Sequence, residues 1–196
     1  MDKNKVEAPE ALIMLKNGND RFVSNNLQHP NLDDARRRML AKGQAPHTVV
    51  LTCSDSRILP DLIFDQGLGD LFVIRVAGNV AKDKVLGSIE YAVANLGSKL
   101  VVVLGHEACG AVTAALEPKE QIGHIGAILE ELKPAAYMAR QQPGDLLENA
   151  IKNNAIITRE RVHDSLPILN KAIKEDGLKV VSAYYSLQTG QVDWLD

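Results

Sequence analysis

The chain reads as an α/β protein with a mainly parallel central β-sheet flanked by helices. Two observations lead there. Four short runs, His47–Thr52, Leu71–Val76, Lys99–Leu104 and Lys179–Tyr185, are rich in β-branched residues and almost continuously apolar. Strands buried on both faces have this pattern. Helical patterns alternate with these runs, and such alternation is the mark of crossover connections in a parallel sheet. The length of 196 residues suits one domain, which at this size buries roughly 70% of its unfolded surface.

Taken in order, residues 8–24 form the first predicted helix. Pro9 suits a first turn, Leu12, Leu15, Phe22 and Val23 give a rough apolar stripe, and Gly18 weakens the middle. Residues 32–42 form a short charged helix with acids first and bases last, the order that the helix dipole favours, and Gly43 ends it. Val85–Leu96 is a helix stopped by Gly97, and three more follow at 109–117, 123–140 and 145–175. Pro134 and Pro143-Gly144 punctuate these, and Pro167 is expected to kink the last. After the turn Gln188-Thr189-Gly190-Gln191, Val192–Leu195 reads as a short strand, antiparallel at an edge. The whole chain, 1–196, is taken as one domain, with 1–42 a helical arm and 43–196 the α/β core.

Composition excludes several classes. Hydrophobic residues make up 45% and charged residues 24%, and the net charge of -3 is spread without a basic stripe. Three Phe, four Tyr and one Trp supply few stacking platforms, so nucleic acid is not an expected partner. No stretch approaches the ~20 apolar residues of a membrane span, and Met1–Glu7 lacks the apolar core of a signal peptide. The expectation is a cytoplasmic protein with no membrane partner. Two cysteines do not make a disulfide framework.

Both cysteines fall just past an apolar run. Cys53-Ser54-Asp55-Ser56-Arg57 follows the first strand, and His106-Glu107-Ala108-Cys109-Gly110 follows the third. Ligands bind open α/β sheets beyond the carboxyl ends of strands, where the strand order reverses. If these strands are neighbours, Cys53, His106 and Cys109 converge. Cys109 opens a helix, whose N-terminus favours a thiolate. Two thiolates and an imidazole suit zinc better than magnesium or calcium, and three protein ligands leave a fourth position open. Water there is acidified toward hydroxide. Two thiolates nearly cancel the charge of the metal, so a carboxylate is needed to select and aim that hydroxide. Asp55 is the candidate, held two-pronged by Arg57. Taken singly, each residue has a plain structural reading: Cys53 as core packing, His106 as a helix cap, Asp55 and Arg57 as a turn and a surface ion pair.

The paired motifs resemble those of the β-class carbonic anhydrases. So do Asp65–Asn79, Gly87–Val93, Gly123-His124-Ile125, Glu148-Asn149-Ala150 and Val181–Tyr185, and the resemblance covers roughly residues 8 to 195. It implies one Zn2+ per chain on Cys53, His106 and Cys109, with the Asp55–Arg57 pair as the catalytic dyad. It further implies that Gln44 hydrogen-bonds substrate, that Phe72 and Tyr91 line an apolar pocket, and that Gly110 lets the backbone approach the site. The working unit it implies is a homodimer, or a dimer of dimers such as a homotetramer. Its N-terminal arm packs on a partner subunit and its pocket lies at the dimer interface. One subgroup carries a tryptophan three residues before the first cysteine; this chain has Val50 there, which favours the subgroup whose metal position is open to water.

The function expected is reversible hydration of carbon dioxide to bicarbonate and a proton, by attack of zinc-bound hydroxide. No histidine stands out as a proton shuttle: His29, His47, His124 and His163 each read as surface or strand-start residues. The same scaffold also suits carbonyl sulfide or carbon disulfide as substrate. A non-catalytic binding role would need neither the dyad nor Gln44.

Overall fold

Helices α1 (Ala8–Val23) and α2 (Asp34–Leu40) precede the first strand, β1 (Thr48–Thr52). Then follow α3 (Pro60–Ile63), β2 (Leu71–Arg75), α4 (Asp83–Tyr91) and β3 (Leu100–His106). Helices α5 (Gly110–Leu116), α6 (Ile125–Ala139), α7 (Leu146–His163) and α8 (Ile168–Glu175) come next, before β4 (Lys179–Tyr185) and β5 (Val192–Trp194). This computed structural model describes residues 6–117, 119 and 123–195. Met1–Lys5, the start of the expected arm, lie outside the described residues.

The five strands form one sheet in the order β2-β1-β3-β4-β5. The first four are parallel and β5 runs antiparallel on β4, with Ala183 opposite Trp194. Alternation along the strands sorts their side chains onto two covered faces. Val50, Val102, Leu104 and Ala183 pack with Ala8, Ala11 and Leu15 of α1. Val49, Leu51, Val101 and Val103 pack with Ile89 of α4, Ala155 and Val162 of α7, and Leu169 of α8. A third cluster joins Cys53 and Cys109 to Val112 of α5, Leu129 and Leu132 of α6, and Ile151 of α7. That cluster roofs the carboxyl ends of the strands.

Local chemistry accounts for the elements. Asp33 caps α2 by accepting from Arg36 N at 2.7 Å, and Asp145 caps α7 by accepting from Glu148 N at 2.8 Å. Gly18, which weakens α1 on propensity, is required by packing: a Cβ there would sit 1.8 Å from Phe64 O. Within one chain α1 therefore lies on its own sheet, whereas α2 has no buried residue.

Two differences from the sequence reading stand out. The segment 145–175 is two helices, not one kinked helix, and the chain breaks helix between His163 and Ile168. Pro167 has no N–H to donate and disfavours helix at the residue before it. The short α3, opened by Pro60, was not expected. Among the described residues no helix is long and apolar enough to cross a membrane.

Candidate metal centre

From β1 the chain crosses to β2 on one side, and β3 lies on the other. The strand order thus reverses between β1 and β3, and the crevice beyond their carboxyl ends is the ligand position of such sheets. Thr52 is level with Leu104 and donates its hydroxyl to Leu104 O at 2.9 Å. Cys53 is the next residue after Thr52, and His106 closes β3, two residues longer than its apolar run suggests. Ala108 takes a left-handed conformation (φ 53°) that turns the chain back and returns Cys109 to the crevice. The ligand atoms of Cys53, His106 and Cys109 all lie within 4.8 Å of one another, and all three residues are buried.

Each donor is prepared. His106 Nδ1 lies 2.8 Å from Glu107 O. A carbonyl only accepts, so Nδ1 carries the proton and Nε2 presents its lone pair. That Nε2 is buried with no hydrogen-bond partner. The two sulfurs are 4.0 Å apart, with the Cys109 thiol donating toward Cys53. This donation, against the effect of burial and with smaller help from the His106 side chain and then from the Gly78 N–H at 3.4 Å from Cys53 Sγ, pulls the Cys53 thiol well below its ordinary pKa. The same shared proton, together with burial, pushes the Cys109 thiol up. The N–H groups of Ala111 and Val112 at the α5 start pull it down, as expected of a helix N-terminus, but they are outweighed. A cation bound between the two sulfurs would favour loss of the shared proton. A buried imidazole lone pair without a partner, beside two sulfurs, fits zinc as the sequence suggests.

Beside the donors lies the acid–base pair. Arg57 donates from N and Nε to Asp55 Oδ1 at 3.0 and 2.9 Å, and from Nη2 to Oδ2 at 2.7 Å. Arg57 Nη2 also reaches Ala108 O at 3.2 Å, tying the two motif loops together. These bonds hold the Asp55 carboxyl far below the usual carboxylate range. Asp55 is thus an ionised acceptor.

Sequence reasoning missed three supports. Arg75, at the end of β2, donates to Cys53 O at 3.2 Å and Asp55 O at 2.7 Å. Gly78 supplies the N–H to Cys53, and Asn154 of α7 donates to Gly78 O at 2.7 Å. A charged residue closing an apolar strand, and a polar one inside a buried helix face, were the available signals.

The residues assigned to substrate lie elsewhere on the chain. Gln44 is exposed, in a groove with Arg37, Leu40 and Leu68. It precedes β1, whereas Cys53 follows it, so a strand of about 16 Å separates them. Phe72 is level with Val49, at the far end of β1 from Cys53. Its ring lies 6.5 Å from that of Tyr91, which is half exposed. Gly110 opens α5, and a Cβ there would meet nothing within 4 Å. The structure brings together Cys53, His106, Cys109, Asp55 and Arg57, but not Gln44, Phe72 or Tyr91.

An α/β sheet with a Cys, His, Cys donor set at its switch point carries a group that could hold a metal, of a kind that suits zinc. Comparison with known proteins refines this reading. The carbonic anhydrase family model matches residues 48–192. Carbonic anhydrase 2 of Mycobacterium tuberculosis is 39% identical over 188 residues, covering 90% of this chain and 87% of that protein. A carbonic anhydrase of Mycolicibacterium smegmatis is 44% identical over 144 residues, covering 71% of this chain and 68% of that protein. Among solved structures, a tetrameric β-carbonic anhydrase of Sordaria macrospora is 30% identical with a TM-score of 0.76, covering 81% of this chain and 85% of that one. The β-carbonic anhydrase CafA of Aspergillus fumigatus is 30% identical with a TM-score of 0.74, covering 96% and 90%. The chain belongs to the β class of the carbonic anhydrase family, lyases that hydrate carbon dioxide.

Proposed function

We propose that this chain is a zinc enzyme that interconverts carbon dioxide and water with bicarbonate and a proton, with Cys53, His106 and Cys109 holding one Zn2+. The observation that carries the reading is the buried donor set, an imidazole nitrogen without a partner and two sulfurs within 4.8 Å of one another. When bound, zinc supplies a Lewis acid that makes water a nucleophile near neutral pH.

Asp55 selects and aims that nucleophile. Each carboxylate oxygen offers two acceptor positions. Oδ1 already accepts from Arg57 N and Nε, and Oδ2 from Nη2. One acceptor position on Oδ2 is left, and it would accept a hydrogen bond from the O–H of the nucleophile and so orient it toward carbon. Arg57 keeps Asp55 ionised, so that it never offers a proton of its own. Arg75 holds the backbone of the same loop. The proton of the reaction passes to buffer.

Gln44, Phe72 and Tyr91 serve the site of a second subunit. Carbon dioxide is apolar, and the Phe72 and Tyr91 rings supply an apolar wall for it, while the Gln44 amide hydrogen-bonds an oxygen of bicarbonate. The exposed Leu32 and Met39 in and beside α2 and Leu68 near Gln44 are then covered by that subunit. A homodimer is thus the unit, with pairing into tetramers as in the Sordaria relative.

Stopped-flow hydration of carbon dioxide at about pH 8.5, with zinc counted per chain, tests the reading. The expected result is one zinc per chain and a rate far above the uncatalysed reaction. Stoichiometric zinc without hydration activity overturns it.

A further inference from the structure

We infer that Asn154 is a positioning residue for the metal centre. It holds the turn Ala77–Asn79 so that the Gly78 N–H stays on the Cys53 sulfur and tunes how strongly that sulfur donates to the metal. The inference rests on the zinc reading above and adds a residue that lies 101 positions from Cys53 in sequence.

Asn154 is a polar side chain with no local reason to be where it is. Asn154 sits in the middle of α7, where Asn is a poor helix former. It is 2% exposed, between Ala150, Ile151 and Ala155, which pack into the core. Its hydrogen bond runs out of the helix to Gly78 O, at 2.7 Å. The turn it reaches is three residues long, Ala77–Asn79. Gly78 adopts φ 70°, ψ 15°, a left-handed conformation that costs glycine nothing and that glycine leaves as readily. Asn79 N closes the turn on Val76 O at 2.9 Å. The Asn79 side chain leaves its Nδ2 buried without a hydrogen-bond partner. The peptide before Gly78 is held at its N–H by Cys53 Sγ, and the peptide after it by Asn79 N on Val76 O and by Asn154 Nδ2 on the Gly78 carbonyl.

The contact with Cys53 matters for the chemistry. Two thiolates donate strongly and blunt the Lewis acidity of a bound metal. A backbone N–H on a ligating sulfur withdraws charge from it, and groups of this kind, outside the ligand set, tune the metal. Without Asn154, Gly78 O is left buried and unpaired. The turn then rotates to satisfy it, and the N–H leaves the sulfur.

The test compares the Co2+-substituted forms of the wild type, Asn154→Ala and Asn153→Ala. Asn153 is the control: it is buried beside Asn154 and bonds Gln142 and Ala135 O, not the turn. The expected result is a shift of the sulfur-to-cobalt charge-transfer band to lower energy in Asn154→Ala. Asn153→Ala loses stability but leaves the band in place. A band unmoved in Asn154→Ala, or moved equally in Asn153→Ala, overturns the inference. If Asn154→Ala does not fold, Asn154→Ser replaces it. Its shorter donor is expected to give a smaller shift in the same direction, and a band coincident with the wild type counts against the inference. The spectra do not depend on turnover, so absence of hydration by the wild type would sink the functional reading without deciding this one.

Discussion

Replacing Asp55 by Asn separates orientation from metal binding at almost constant shape. Three of the four acceptor positions on Asp55 are occupied by Arg57. If the Asn oxygen faces Arg57 N and Nε, the new NH2 group points at Arg57 Nη2, donor against donor. The fourth position, which accepted a hydrogen bond from the O–H of the nucleophile, now donates. Loss of one oriented hydrogen bond at a reacting centre costs about 10²–10³-fold, or about 2.7–4 kcal/mol of barrier. The expected kcat/KM for carbon dioxide hydration falls by that factor, read by stopped flow. Zinc content is unchanged, because Asp55 is not one of the three ligands. The pH dependence of stability has a definite sign. Asp55 has a lowered pKa in the folded chain, so its contribution is present above the ordinary carboxylate pKa of about 4 and lost as pH falls below it. The stability difference between wild type and Asp55→Asn is therefore flat above about pH 5 and shrinks in acid. Wild-type turnover in Asp55→Asn would refute the role given to this carboxylate.

Three other outcomes are expected. Arg75→Met removes the donors to Cys53 O and Asp55 O and lowers activity about ten-fold with zinc retained; full activity would show that the loop needs no such clamp. Gly78→Ala places a Cβ 3.0 Å from Leu132 Cδ1 at φ 70°. It costs about 1–2 kcal/mol for the backbone alone in chemical denaturation, and a neutral change would refute the packing argument. Mixing Cys109→Ser chains with Gln44→Ala chains through refolding forms hybrid dimers with one intact site and recovers activity; mixtures as poor as either parent would place Gln44 outside the partner's site.

How much of this was legible before any coordinates depended on the range of the interactions involved. The strands were visible because β1, β3 and most of β4 are buried on both faces, which forces continuous apolar runs. The donor set was visible because the chain has only two cysteines, each following such a run. Whether those runs are neighbours was not visible, and the observed order β2-β1-β3 supplies it. The sheet pairing also carried β3 on through Gly105 and His106, against Tyr184 and Tyr185, beyond where its apolar run stops. Gly18 counts against α1 on propensity, yet close packing on Phe64 O demands it. The Asn154 to Gly78 bond spans 76 residues, and a polar residue on an apolar helix face hints at a partner without saying which one. Pro167 was read as a kink where it separates two helices, because a helical pattern on both sides of a proline does not reveal whether the chain bends or turns.

Zinc K-edge X-ray absorption on the purified protein tests the centre most directly. Two sulfur ligands at about 2.3 Å and two nitrogen or oxygen ligands at about 2.0–2.1 Å are expected, accounting for Cys53, Cys109, His106 and one further light atom. A shell with fewer than two sulfurs would contradict the convergence of the β1 and β3 ends on a single metal.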